Sequence, residues 1–418
     1  MGLRAGGTHM EELDLDSLDI ASPEHYEQNG YPHAEWTHLR KHAPVFWYER
    51  GNVDPFWAVT KHADIVELSK QPDKFLNSKR LAVFTNDLEF PEERVRHLLN
   101  MDPPDHGRFR NVSAKQFTPR AVSALAPHVE RITRDVLDEA GKLERCDFVK
   151  EVSAKITIAV IAEMLGVPRE DWDLLFRWTN ETIAPQDPEF QRGGSVKDTI
   201  EQSRAELFQY FHEMASKRRA QPTGDIVSVV ANGSVDGKPL DPLTLLSYYF
   251  LLVVAGNETT RNAMTGGLLA FVENPGEWRK LVQDPALVDP AVEEIVRWTT
   301  PVIQFCRTAT QDYVLRGQKI RAGESLCLFY PSANRDEDIF DEPFRFRIDR
   351  WPNEHIGFGR GEHVCLGAHL ARLELRCAFA QLRERLDHVE LAGAPERARS
   401  SFVGGIKRVP IRWRLKPA

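Results

Sequence analysis

The sequence predicts a mainly α-helical fold with a few small β-sheets, and three observations carry that reading. Amphipathic stretches of helical period recur along the chain, and one of them runs unbroken from Asp241-Pro242 to about Glu273. Strand-like segments are short and flanked by turn residues. No linker, composition break or internal repeat divides the 418 residues. We therefore read residues 10–418 as one domain and Met1 to His9, ahead of Met10, as an expression remnant. The formal net charge of −8 argues against nucleic acid or an anionic membrane as the main partner. Five scattered cysteines, odd in number, suit a reducing cytoplasm rather than a disulfide framework. No apolar run approaches the ~20 residues a membrane span needs, so a cytoplasmic location is expected.

Taken in order, Tyr31 to Lys41 reads as helix, and Val45 to Tyr48 with Phe56 to Val59 reads as a hairpin around Gly51-Asn52. Asp64 to Ser69 is a short helix. Lys79 to Leu99 is an irregular loop of a length that is usually functional. A Pro-rich entry at Pro103-Pro104 starts a helix on which His106 and Arg110 share a face. Helices follow at Val122 to Ala140, Phe148 to Leu165, Glu170 to Ile183 and Val196 to Arg219, the last two separated by the Pro/Gly loop Pro185 to Gly194. The long helix has an N-cap Asp241 and a first-turn Pro242. Its apolar middle, Tyr248 to Ala255, requires burial. There Gly256, Glu258, Thr259 and Thr260 interrupt it, although each buried polar group must be desolvated and paired. Asp289-Pro290 opens a helix carrying Glu294 and Arg297 at ion-pair spacing. Short strands are expected at Thr308 to Val314, Gln318 to Ile320, Leu326 to Tyr330, Val389 to Leu391 and Ile406 to Leu415.

The run Phe358-Gly359-Arg360-Gly361-Glu362-His363-Val364-Cys365-Leu366-Gly367 places a cysteine between a glycine-rich loop and the helical stretch Leu366 to Leu386. Unpaired N–H groups at a helix N-terminus lower a cysteine pKa and suit the sulfur to a metal. Gly359, Gly361 and Gly367 remove side chains that would keep a flat cofactor off the backbone. A lone cysteine of this kind is more often a buried turn residue. Zinc on Cys365 and His369, with His363 and Cys377 nearby, is a weaker option because the paired CxxC and HExxH spacings are missing.

The pattern FGxGxHxCxG resembles the haem-ligand signature of the cytochrome P450 family. The resemblance implies that family's fold, a single triangular haem-thiolate domain with a long central helix, and a bacterial, soluble monooxygenase. That enzyme would insert one atom of O₂ into a C–H bond of a lipophilic substrate. It implies haem b with Cys365 as axial thiolate, and haem contacts from His106, Arg110, Arg307, His363, Phe358, Gly359, Gly367 and Ala255. Glu258 and Thr259 resemble the oxygen-activating acid and alcohol. Glu294 and Arg297 resemble the structural ion pair, with Arg345 as third member. Val253, Val254, Val302, Ile303 and Phe305 would face the substrate, and Pro185 to Gly194 with its flanking helices would form a lid. Segments such as Phe117 to Val122 and Glu294 to Val302 are similar to members that oxidise sterols, terpenoids or branched lipids. The expected electron donor is a small iron–sulfur ferredoxin with its reductase, docking on Arg108, Lys115, Arg360, Arg372 and Arg376. Two alternatives stay open: a haem-thiolate protein that binds ligands or uses peroxide, and a helical binding protein without cofactor.

Overall fold

The computed structural model describes residues 15–86, 88 and 95–416; Met1 to His9 and part of the Lys79 to Leu99 loop lie outside them. Helices dominate, and they pack around the central helix Pro242–Glu273, which spans 32 residues. Asp241 caps it by accepting a hydrogen bond from the Thr244 amide at 3.0 Å, and Pro242 occupies the first turn where no amide partner is needed. From Thr244 to Phe271 most of its residues are buried, so it crosses the interior. At ~1.5 Å per residue it is long enough to span the domain.

The other helices fall close to the expected places, at His33–His42, His62–Ser69, Trp172–Ile183, Val196–Ala220, Val288–Thr299 and Ala368–Arg385. Two expectations change. The stretch expected to be one helix from Val122 to Ala140 divides into Pro119–Ser123 and Ala126–Ala140, the second carrying Pro127 in its first turn, where proline is tolerated. The helix expected from Phe148 opens as a π turn over Val149–Ser153 before Ala154–Leu165.

A five-stranded sheet assembles distant parts of the chain. Its order is Val45–Tyr48, Phe56–Val59, Ser325–Phe329, Gln304–Ala309 and Phe75–Leu76. Phe56–Val59 and Ser325–Phe329 pair in parallel, with Ala58 opposite Cys327; the remaining pairs are antiparallel. A second sheet joins Leu386–Leu391, Pro410–Leu415 and Arg145–Asp147. A lone bridge between Val302 and Val403 brings the C-terminal loop against the strand entry. No helix among the described residues is long and apolar enough to cross a membrane.

The ion-pair expectation needs one correction. Glu294 and Arg297 do pair, at 2.7 Å through both oxygens, with neither side chain exposed. The third member is Arg350, not Arg345. Arg350 Nε donates to Glu294 at 3.1 Å from a buried position, whereas the exposed Arg345 side chain pairs, among the described residues, only with Glu342, and the Arg345 backbone carbonyl accepts from Arg297 and Arg350. Pattern alone could not choose between two arginines five residues apart in a loop that folds back on itself.

Candidate functional site

One cavity is walled by the central helix, the cysteine loop and the strand entry, and Cys365 opens into it. Cys365 has accessible surface although it lies deep in the molecule, because that surface is cavity wall. Its amide donates to the Phe358 carbonyl at 2.8 Å and closes the loop. Gly359 and Gly361 take φ of +71° and +73°, which L side chains rarely adopt. A Cβ on Gly361 would also stand 2.0 Å from the Ser69 carbonyl oxygen, so only glycine lets the loop cross the His62–Ser69 helix. The helix begins at Ala368, later than expected. The expected lowering of the thiol is therefore corrected. Burial pushes Cys365 up, opposed by the Gly367 backbone N–H and the Arg110 and Arg372 charges.

Basic groups gather on one side of the cavity. Arg110, Arg307, His106 and His363 all line it, and neither arginine forms an ion pair among the described residues. The two imidazoles lie 4.0 Å apart between ring centroids, and His106 Nδ1 is 3.1 Å from Glu362. Burial and the neighbouring His106 hold the His363 pKa down to about 2, and its Nε2 has no hydrogen-bond partner. Burial also lowers His106 and Arg110. A buried Arg307 and a half-buried Arg110 without counter-ions among the described residues are costly, so the wall suits an anionic ligand.

Three features fit haem in this space. A single sulfur faces the cavity, and no group of three His, Cys, Asp or Glu side chains among the described residues could hold a metal by itself, so the remaining ligands would come from a macrocycle. A Cβ added to Gly367 would meet nothing within 4 Å, which leaves open space beside the sulfur for a flat group. The unpaired arginines match a pair of carboxylates. Phe358 lies under Arg372, 4.4 Å from its ring centre, and Arg372 is held by both oxygens of Glu293 at 2.6 and 2.8 Å.

Opposite the sulfur, the central helix presents Val254, Ala255, Gly256, Thr259 and Thr260. The helix is continuous through Gly256, as expected, and a Cβ on Gly256 would come within 2.9 Å of Ile161. Thr259 Oγ1 donates to the Ala255 carbonyl at 3.0 Å. Glu258 is 2% exposed and does not line the cavity; it pairs with Arg261 and accepts from Asn262 at 2.9 Å. Arg261 reaches on to Asn180 of the Trp172–Ile183 helix at 3.1 Å. Thus the expected acid and alcohol are neighbours in sequence but point to different surroundings.

Val254, Val302 and Phe305 line the cavity as expected, but Val253 and Ile303 do not. Val253 is about 100° around the helix from Val254 and enters the core beside Tyr249 and Leu207. Ile303 faces the opposite side from Val302, in the core with Trp36 and Phe329. Sequence reasoning missed Leu98, Ile161, Ile183, Phe402, Val403 and the buried Glu374. Phe402 packs on Phe305 and Phe84, at 5.4 and 5.8 Å between ring centres. Glu374 leaves Oε2 unpartnered, and burial raises its carboxyl well above the carboxylate range. The loop expected to be a lid is fastened. Asp187 is fully buried, accepts from Lys407 at 3.1 and 3.0 Å and from the Arg399 amide at 3.2 Å, while Gln186 donates to Thr85 at 2.7 Å.

Comparison with known proteins follows the same lines. The sequence model of the family described as Cytochrome P450 matches residues 144–398. The steroid C26-monooxygenase of Mycobacterium tuberculosis is 38% identical over 405 residues, covering 93% of this chain and 91% of that protein. The methyl-branched lipid omega-hydroxylase of the same organism is 36% identical and covers 98% of both. The solved structure of a Mycobacterium marinum cytochrome P450 in complex with pseudoionone has a TM-score of 0.88 at 34% identity, over 95% of this chain and 98% of that one.

Proposed function

Because the chain belongs to the cytochrome P450 family and is a haem-thiolate monooxygenase, we propose that Cys365 Sγ holds the iron. In the same reading Arg110, Arg307, His106 and His363 hold the propionates, and Phe358, Gly359, Gly367 and Ala255 pack against the macrocycle. The observation that carries this assignment is the cavity-facing sulfur flanked by two arginines without ion pairs. Bound haem would supply activation of O₂ and transfer of one oxygen atom to a C–H bond, and a Cys365 thiolate holding it would favour O–O cleavage. Coordination would deprotonate the sulfur despite its buried site.

The chain's own residues do the rest. Val254, Val302, Phe305 and Phe402 exclude water and orient the substrate by buried apolar area, at ~25 cal/mol per Å². Thr259 Oγ1 gives its proton to the Ala255 carbonyl, which leaves the oxygen free to accept a hydrogen bond from the cavity side. Glu258 stands behind that wall, where it fixes Arg261 and Asn262, and proton delivery through its carboxylate requires it to leave that pair. Glu294, Arg297 and Arg350 hold the loop that leads to Phe358. A reduced-plus-CO absorption spectrum tests the ligation. The thiolate band should be present in the protein and absent from Cys365→His, and an unchanged spectrum in the variant would remove Cys365 from the iron.

We propose a sterol or steroid, a terpenoid or a methyl-branched lipid as substrate. The apolar wall between Thr259 and Phe402 and the two named relatives support this. A spin shift with steroids, terpenes or branched fatty acids is the expected result, and tight binding of small polar molecules alone counts against it. The electron donor we propose is a small ferredoxin with its reductase, and the location cytoplasmic, in keeping with five free thiols. Of the expected docking cations, Arg108, Arg372 and Arg376 are engaged with Asp236, Glu293 and Asp289, while Lys115 and Arg360 form no ion pair among the described residues, Arg360 donating to the His355 carbonyl at 3.4 Å. Charge reversal at those two should raise the donor's apparent Michaelis constant most at low salt; no change at any ionic strength would dismiss them.

A further inference from the structure

Two cysteines lie face to face in the five-stranded sheet, and neither lines the cavity. Cys306 of Gln304–Ala309 stands directly opposite Cys327 of the antiparallel strand Ser325–Phe329, and both are 0% exposed. The Cys306 amide donates to the Leu81 carbonyl at 2.7 Å, away from the partner strand, so the two cysteines form a non-hydrogen-bonded pair. Cα atoms in such pairs are ~4.5 Å apart with the side chains close together, inside the ~4.4–6.8 Å window in which a disulfide closes without moving the backbone. Both thiols turn to one acceptor: Cys327 Sγ is 3.4 Å and Cys306 Sγ 4.0 Å from Gln304 Oε1.

A buried thiol is ordinarily inert. This pair differs in its charge and in its cover. Burial raises Cys306, but hydrogen bonding with Cys327 and the charges of Arg80 and Arg307 outweigh it and bring that thiol below its ordinary value; burial and the same partner push Cys327 well up. One sulfur is thus suited to act as nucleophile and the other to keep its proton until the second step. The cover is the single segment 80–83, where Arg80 and Leu81 are only half-buried and Arg80 is tied to the Asp54 and Pro55 carbonyls at 3.0 Å. Local opening of such a segment admits a small oxidant. Gln304 holds the cover down: its Oε1 accepts from the Val83 amide at 3.1 Å and its Nε2 donates to the Val83 carbonyl at 3.0 Å. Val83 in turn sets Phe84, which packs on Phe402 of the cavity wall.

We propose that Cys306 and Cys327 are a redox-active dithiol that hydrogen peroxide oxidises to a cross-strand disulfide, and that this oxidation loosens the hold of Gln304 on Val83. The Cys306 thiolate attacks one peroxide oxygen; the O–O bond breaks, hydroxide leaves and takes up a proton, and Cys306 becomes a sulfenic acid. The Cys327 sulfur then attacks Cys306; the S–S bond forms, the S–O bond breaks, and a second water carries off the Cys327 proton. Two thiols lose two hydrogens, and one peroxide becomes two waters. Reduction of O₂ without transfer to substrate yields this oxidant in the enzyme itself. With both S–H donors gone, the Gln304 carboxamide is held by its backbone partners alone.

The experiment treats haem-loaded wild type, Cys306→Ser and Cys327→Ser with stoichiometric and with excess hydrogen peroxide. Samples are alkylated under denaturing conditions and peptide-mapped, and hydrogen exchange of residues 80–86 is followed in parallel. Wild type should give a peptide pair joined through Cys306 and Cys327, lighter by two hydrogens than the reduced peptides and abolished by dithiothreitol. Exchange over 80–86 should rise about 2- to 5-fold on oxidation, the weight of one weak S–H bond to oxygen, and return on reduction. Neither serine variant should show the joined peptides or the rise. Cys306 and Cys327 that stay alkylatable in wild type at excess peroxide would overturn the proposal. A joined pair with unchanged exchange would overturn the link to Gln304, as would a rise shared by the serine variants. If a serine variant fails to accumulate, Cys306→Ala or Cys327→Ala makes the same comparison, and the wild-type arms decide the oxidation without either.

Discussion

Replacing Arg350 with methionine should destabilise the protein far more than the same change at Arg345. Arg350 is 3% exposed and donates to the Glu294 carboxylate at 3.1 Å, to the Arg345 carbonyl at 3.0 Å, to the Glu342 carbonyl at 3.2 Å and to that of Asp341. Its loss leaves the Glu342 and Asp341 carbonyls without that charged donor, leaves the Arg345 carbonyl with Arg297 alone, and takes one of two cations from a carboxylate that has no solvent contact. Breaking a buried charged network of this kind costs about 3–5 kcal/mol. Arg297 stays in place on Glu294, so about 3 kcal/mol is the expected figure. Arg345 pairs with Glu342 at the surface, where such pairs contribute about 0–1 kcal/mol. Denaturant unfolding of the haem-loaded variants measures both losses. The loop that Arg350 fastens runs into the cysteine loop, so Arg350→Met should also release haem at lower denaturant than Arg345→Met. Equal losses, or a larger one at Arg345, would refute the assignment of the third member.

Three further outcomes are expected. Thr259→Ala should keep haem and the substrate spin shift while diverting electrons to peroxide, and undiminished coupling would leave Thr259 only a helix hydroxyl bonded to Ala255. Ile303→Val should cost about 0.5–1.5 kcal/mol of stability with unchanged substrate preference, whereas Val302→Ala and Phe305→Ala should shift the preference; steady-state competition between two substrates tells them apart. Glu374 is a carboxyl that burial raises well above its unfolded value near ~4.3. The stabilising protonated form is fully present below that value and is lost as pH rises through the folded pKa, so the advantage of Glu374→Gln should grow with pH above ~4.3. Parallel stability–pH curves for the two proteins would contradict it.

The parts of the site that were legible in the sequence are those set by local chemistry. The cysteine loop declares itself by glycines at positions of positive φ, and the central helix by its cap, its proline and a long apolar run. Rotation and long-range return were not legible. Glu258 and Thr259 are adjacent letters, but ~100° of helical rotation sends one into the core and the other to the cavity wall. The same geometry misassigned Val253, and strand alternation misassigned Ile303. Phe402 and Val403 reach the cavity because the C-terminal loop bridges to Val302, about 100 residues earlier, which no periodicity announces. The choice of Arg350 over Arg345 depended on how a loop folds back on Glu294.

The mixed five-stranded sheet has a consequence for synthesis on the ribosome. The hairpin made by Val45–Tyr48 and Phe56–Val59 finds its inner neighbour only in Ser325–Phe329, through a parallel pairing that no nearby segment can replace. A two-stranded hairpin is marginally stable by itself. At ~5–20 residues per second, the gap of about 270 residues between the partners corresponds to roughly 14–54 s of elongation. During that interval the aromatic faces of Phe56 and Trp57 have no sheet to join, and the cysteine loop has yet to leave the exit tunnel. A nascent chain of this protein therefore exposes these aromatic faces early in translation, and its cofactor can be seated only once the cysteine loop has emerged.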